Sequence, residues 1–274
     1  MKYIISIQVI FYSLLVFSAK AQKEHWDTYM AKFGDKPGSV LVDMGYKDAA
    51  PDNRYPFLVV TGPQAINCNK QGLPDKEEID KLEEILDATN NFITGVTAKT
   101  LVGTLTYNCE RLNYYYVKDT VGIRNAIMRL YKRNYANYNF AINMKADREW
   151  RTYLTFLYPN DTTLNWMDND KIITKMLLEG DSLTKQRDIN FALLFKTDKE
   201  RSAFADVAKG QGFKTDATRM PGNASAGFEL IVSKYGYVRM ATINSISDTL
   251  KNELTKYDGY YVGWEAPLPS ALKK

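Results

Sequence analysis

Phe57-Leu58-Val59-Val60-Thr61-Gly62-Pro63 is the stretch that decides the fold. Four apolar residues and a β-branched threonine, stopped by Gly-Pro, form too short a run for a helix and read as a buried strand. The residues after it set its context. Residues 74–92 open with Pro74 and place Asp75 and Glu78 at capping-box spacing. Ile79, Leu82, Leu86 and Ile93 then recur at helical period, which predicts a long helix. Residues 99–107 and 112–117 read as strands around a turn at 108–111, residues 120–135 as a second helix, and residues 138–144 as a further strand. A short leading strand is expected at 38–44, and a helix at 147–157 with Trp150, Tyr153, Leu154 and Leu157 on one side.

The second half repeats the pattern. Residues 160–165 are polar and read as a linker, followed by an amphipathic helix at 168–179 closed by Gly180. Strand 189–195, helix 198–209, strands 212–218 and 227–233, helix 246–256 and strand 260–264 follow. The expected class is therefore α+β. It comprises two tandem ferredoxin-like βαββαβ units, each an antiparallel sheet covered by helices on one face. The expected domains are residues 22–160 and 168–268.

Residues 1–21 have a different character. A basic start at Lys2 precedes an almost wholly apolar, uncharged run from Ile4 to Phe17, and Ala19-Lys20-Ala21 is an A-x-A pattern. This predicts a secretory signal peptide cut between Ala21 and Gln22, and so an exported, periplasmic or secreted protein. An uncleaved anchor and a strand-like start of a folded domain are the competing readings. Removal of residues 1–21 from the 274-residue chain leaves 253 and, without Lys2 and Lys20, lowers the net charge from +4 to +2. With 45% hydrophobic and 25% charged residues the composition is that of a globular protein. Near-neutral charge gives no electrostatic reason to expect a nucleic-acid partner, and after the signal no apolar run is long enough to span a bilayer.

Cys68 and Cys109 are a candidate disulfide, since an exported chain with an even cysteine pair favours bridging. In a βαββαβ unit both would lie at the same end of the sheet. Two separate thiols are the alternative, and the sequence leaves both readings open.

No residue set names a reaction. His25 is the one histidine and sits near the expected mature terminus, where a general base is poorly positioned. No H-E-x-x-H, cysteine cluster, G-x-S-x-G or Walker-type loop occurs, so no catalytic residue, cofactor or metal site is assigned. Paired carboxylates, as in glycoside hydrolysis, are harder to exclude. The acids of helix 74–92 read as a solvated face opposite Arg124, Arg129, Lys132 and Arg133 of the second helix. Tyr114-Tyr115-Tyr116 reads as a strand alternating between core and surface. The nearest approach to an RNA-stacking strand, residues 226–232, lacks a leading cation and carries Glu229. Two N-x-[ST] tripeptides, at Asn160 and Asn223, carry no weight.

Two stretches resemble known families. Gly180-Asp181, Arg187-Asp188-Ile189-Asn190-Phe191, Phe204, Gly212-Phe213 and Tyr257-Asp258-Gly259-Tyr260-Tyr261-Val262-Gly263-Trp264-Glu265 resemble the regulator of ribonuclease activity B family over about 168–268. Asp258 replaces a usual Gly there, and Val262 replaces a usual Asp. Gly72-Leu73-Pro74, Glu77-Glu78, Leu82, Gly103-Thr104-Leu105-Thr106, Arg111, Tyr114 to Tyr116, Asp147, Trp150, Tyr153 and Tyr158-Pro159 are similar to the domain-of-unknown-function family numbered 695, over about 24–160. The first resemblance implies action by protein contact on an intracellular endoribonuclease; the second implies no activity. Three expectations follow: an exported, non-enzymatic protein acting through protein contacts; a cytoplasmic ribonuclease regulator; or an envelope hydrolase with paired carboxylates.

Overall fold

The computed structural model describes residues 24–216 and 227–267. The expected signal peptide, its cut at Ala21–Gln22, and the Asn223 tripeptide lie outside the described residues. The chain divides into two units between Tyr158 and Pro159. Both are mixed α+β with antiparallel sheets, as the residue patterns predict.

The first unit contains β1 (Trp26–Phe33), β2 (Lys36–Asp43), β3 (Phe57–Pro63), α1 (Lys76–Thr94), β4 (Lys99–Tyr107), β5 (Glu110–Val117), α2 (Ile123–Asn134) and β6 (Phe140–Ala146). Its six strands lie in the order β1-β2-β4-β5-β3-β6, antiparallel throughout. The β1–β2 hairpin extends the sheet by one strand more than expected. Asp75 caps α1, its side chain accepting from Glu78 N–H, and Glu78 Oε1 accepts from Ile66 N–H. Val59, Ile85, Ile93, Tyr115, Ile123 and Ile127 form the core between the sheet and α1 and α2.

The other face of this sheet is covered as well, which corrects the expectation of a one-sided unit. Residues 147–158, with π-helical Thr152–Leu157 in place of the expected α-helix, lie across it. Tyr116 stacks on Trp150, Tyr114 meets Phe156, and Tyr29 and Tyr153 donate to the carbonyls of Leu157 and Asp43. A Cβ on Gly103 would lie 3.2 Å from Leu157 Cδ1 and 2.9 Å from Leu41 O, so glycine lets the segment approach. Tyr114, Tyr115 and Tyr116 are therefore all buried rather than alternating with solvent.

The α1 acids form a largely exposed face, as read from the sequence. Among the described residues no ion pair joins α1 to α2; Glu77 of α1 pairs with Lys81 of the same helix and Glu83 with Arg111 of β5.

The second unit contains α3 (Asp161–Leu178), β7 (Arg187–Phe195), α4 (Asp198–Gly210), β8 (Lys214–Asp216), β9 (Phe228–Gly236), α5 (Met240–Leu254) and β10 (Gly259–Glu265). Its sheet order is β10-β7-β9-β8. The expected linker at 160–165 is instead the first turns of α3, because Asn160 accepts from Thr163 N–H as an N-cap. Ile189, Phe191, Leu193, Phe195, Leu230, Val232 and Trp264 pack against Phe204, Ala208, Ile243 and Leu250 of the helices.

Candidate interaction surface

Strand alternation places every second residue of β7 in that core and leaves Asp188, Asn190, Ala192 and Leu194 on the opposite side. The strand register extends this second face into rows. Leu194 lies between Tyr260 and Glu229; Ala192 lies between Gly263 and Ile231, with Asp216 beyond. Asn190 lies between Glu265 and Ser233, with Lys214 beyond, and Asp188 faces Tyr235. Among the described residues of this unit, no element packs on this side. Within the described residues this side of the sheet is open, where that of the first unit is closed.

The face has a defined chemistry. Its centre is apolar, made by half-buried Leu194 and Ala192 beside Ile231, which is buried at 8% exposure, with Tyr260 and Val262 standing out at 53% and 62%. Val262 is the extra residue of a β-bulge in edge strand β10, and a Cβ on neighbouring Gly263 would meet open space. Around the centre stand the carboxylates of Asp188, Asp216, Glu229 and Glu265, and Lys214 in the same rows pairs with Asp188 at 3.7 Å. Ser233 Oγ donates to Asn190 Oδ1 (2.8 Å), and Asn190 Nδ2 donates to Glu265 Oε1 (3.4 Å). These bonds hold the polar rows in place. Lys196 pairs with Asp258 at 2.6 Å and lies 5.9 Å over the Tyr260 ring; the Asp258 hydrogen bond raises its pKa.

This geometry does not suit single-stranded RNA. Phe228 and Leu230, the positions that would carry stacking rings in residues 226–232, point into the core. The exposed rings of Tyr235 and Tyr260 sit at opposite ends of the sheet, and Glu229 projects between.

The remaining candidate residues lie elsewhere. Cys68 and Cys109 form a disulfide that ties the loop after β3 to the tip of the β4–β5 hairpin. Cys109 also exchanges backbone bonds with that loop, donating to Gly72 O and accepting from Ala65 N–H. His25 is exposed at the start of β1, its N–H bound by Asp43 Oδ1. Glu78 and Glu84 share a concavity of about 290 Å³, but both stand on α1 rather than on facing elements, and the Glu78 carboxylate accepts from Ile66 N–H. Among the described residues no group of three or more His, Cys, Asp or Glu could hold a metal, and no helix is long and apolar enough to cross a membrane.

The motif residues that carry the family resemblances are structural fixtures. Asp181 and Arg187 form a buried ion pair, Arg187 Nη2 donating to Asp181 Oδ1 at 2.9 Å, and these hydrogen bonds hold the Asp181 carboxyl below its usual pKa. Trp264 Nε1 donates to Asn169 Oδ1. A Cβ on Gly259 would lie 2.7 Å from the Phe195 ring. Asp147 accepts from Tyr116 OH, Thr152 N–H and Arg151 N–H. Burial works against its ionisation, but these bonds prevail and lower its pKa.

Comparison with known proteins gives two matches in tandem. Residues 24–158 match a family of unknown function (DUF695), and residues 166–266 match the regulator of ribonuclease activity B. No curated protein matches the chain.

Proposed function

We propose, for a chain that joins a DUF695 domain to a regulator of ribonuclease activity B domain, that it works by protein contact rather than catalysis, through the bare sheet face of the second unit. The observation that carries this reading is the contrast between the two sheets. One is closed on both faces; the other leaves an apolar centre ringed by carboxylates. Such a patch takes a partner surface with an apolar anchor and surrounding Lys or Arg. We read both units as ferredoxin-like, with β1 and β2 added to the first. The residues of 1–21 support export, so the partner is sought in the periplasm or outside the cell.

The family match supports a second reading, a cytoplasmic regulator of an endoribonuclease. The two readings differ in the fate of the N-terminus. N-terminal sequencing of the native protein from fractionated cells separates them: a chain beginning at Gln22 in the envelope or medium supports export, and an intact Met1 in the cytosol supports the ribonuclease reading. Either way the partner is predicted to dock on the same face. Substitution of Leu194 by Asp should abolish its binding without lowering the stability of the fold.

A further inference from the structure

Helix α2 carries Arg124, Arg129, Lys132 and Arg133 and no acidic residue. Among the described residues none of the four enters an ion pair, while Glu77 and Glu83 of neighbouring α1 are paired with Lys81 and Arg111. Lys132 and Arg133 suit the helix C-terminus. That does not account for what lies beside Arg129 and Lys132, a concavity of about 520 Å³.

The walls of this concavity are built from aromatic residues. The Tyr131 ring stacks on Phe140 with centroids 4.1 Å apart, and Tyr135 stands edge-on to Tyr131 at 6.0 Å. Met128 also lines it and is 51% exposed, a large apolar side chain left in water. Arg129 and Lys132, three positions apart, project from the same side of α2 and complete the lining. An apolar wall with a few polar groups at one place is the pattern of a small-molecule site, and the volume falls within the range of such sites.

We propose that this concavity binds an amphipathic anion, a carboxylate carried on an unbranched or aromatic apolar body. The apolar body lies against the half-buried rings of Tyr135, Tyr138 and Phe140, with buried Tyr131 backing Phe140, and flexible Met128 closes over it. The carboxylate meets the Arg129 guanidinium, whose planar fork donates to both carboxylate oxygens, and the Lys132 ammonium. An amine of the same shape is repelled by both cations. A neutral alcohol loses the charge-assisted bonds, and inorganic phosphate loses the apolar contact. The site belongs to the first unit and does not depend on the docking face proposed for the second.

The test is calorimetric titration of the full chain with octanoate, which stays monomeric at the concentrations needed, and with 1-octanol. Two double variants carry the same loss of charge: R129Q/K132Q at the concavity and R124Q/R133Q away from it. Their thermal unfolding is recorded first to establish that both fold. The proposal expects saturable octanoate binding with one equivalent per chain, weakened about tenfold or more in R129Q/K132Q and less than about twofold in R124Q/R133Q, with 1-octanol about tenfold weaker than octanoate. Absence of saturable octanoate binding overturns it. So does equal weakening in the two double variants, which would mean a diffuse charge effect, or equal affinity for 1-octanol.

Discussion

The Tyr116 ring lies flat against the Trp150 indole, centroids 3.9 Å apart and planes 9° from parallel. This contact seals the second face of the first sheet. Trp150 holds a left-handed backbone conformation at φ +53°, which costs an ordinary residue about 1–2 kcal/mol. The site offsets that cost by burying the whole indole, by its Nε1 bond to Tyr55 O, and by the bond from its own N–H to Asp147 O. Trp150→Ala should lower the stability of the first unit by about 3–5 kcal/mol. Urea unfolding followed by Tyr and Trp fluorescence reads this directly; a loss below about 1 kcal/mol would mean that the segment is a loose cover.

A second prediction concerns acid. The Asp181 carboxyl is held below its ordinary pKa by Arg187. A depressed folded-state pKa contributes stability that is complete at neutral pH. It declines as pH falls below about 4, the unfolded value, and is gone below the folded value. Asp181→Asn leaves the Arg187 charge buried without its counter-ion, at a cost of about 3–5 kcal/mol near pH 7. The gap between wild type and D181N should narrow as pH falls from about 4 towards 2, measured as urea midpoints across that range. Curves that stay parallel would show that the pair contributes nothing electrostatic.

The disulfide supplies a third. Cys68 and Cys109 are 41 positions apart, so the bridge restricts a long loop of the unfolded chain. The double variant C68S/C109S should lose about 2–4 kcal/mol yet keep its fold, since Ala65, Gly72 and Cys109 retain their backbone bonds. The intact protein should take up no alkylating reagent until it is reduced. Two thiols labelled without reductant would contradict the pairing.

Much of this was legible in the residues, for reasons that differ by element. The apolar run at Phe57–Pro63 and the capped, periodic α1 each carry one unambiguous period, and both form as read. Strand β1 was not legible. It is an edge strand with both sides partly exposed, so Trp26, Tyr29 and Met30 show no alternation. The start of α3 reads as a linker because its first turn is polar, although Asn160 three residues before Thr163 is an N-cap signal. Tyr114-Tyr115-Tyr116 held the clearest unread message: three consecutive buried aromatics mean a strand covered on both faces. The candidate face could be read in part, since Asp188, Asn190, Ala192 and Leu194 alternate with core residues. Its bareness could not, because that depends on what packs from elsewhere in the chain. The family motifs were legible but pointed to fixtures such as Asp181, Arg187 and Trp264 rather than to the exposed face.

On the proposed function, a partner docks on the open face of the second sheet. The most direct measurement of this places a photo-crosslinking residue at Val262, exposed beside that face, and in a separate variant at Val121, 80% exposed in the first unit. Both are irradiated in the native compartment. The account predicts one discrete protein adduct from position 262, none from position 121, and loss of the 262 adduct when Leu194→Asp is added. No adduct from position 262, or the same adducts from both positions and in the presence of Leu194→Asp, would contradict it.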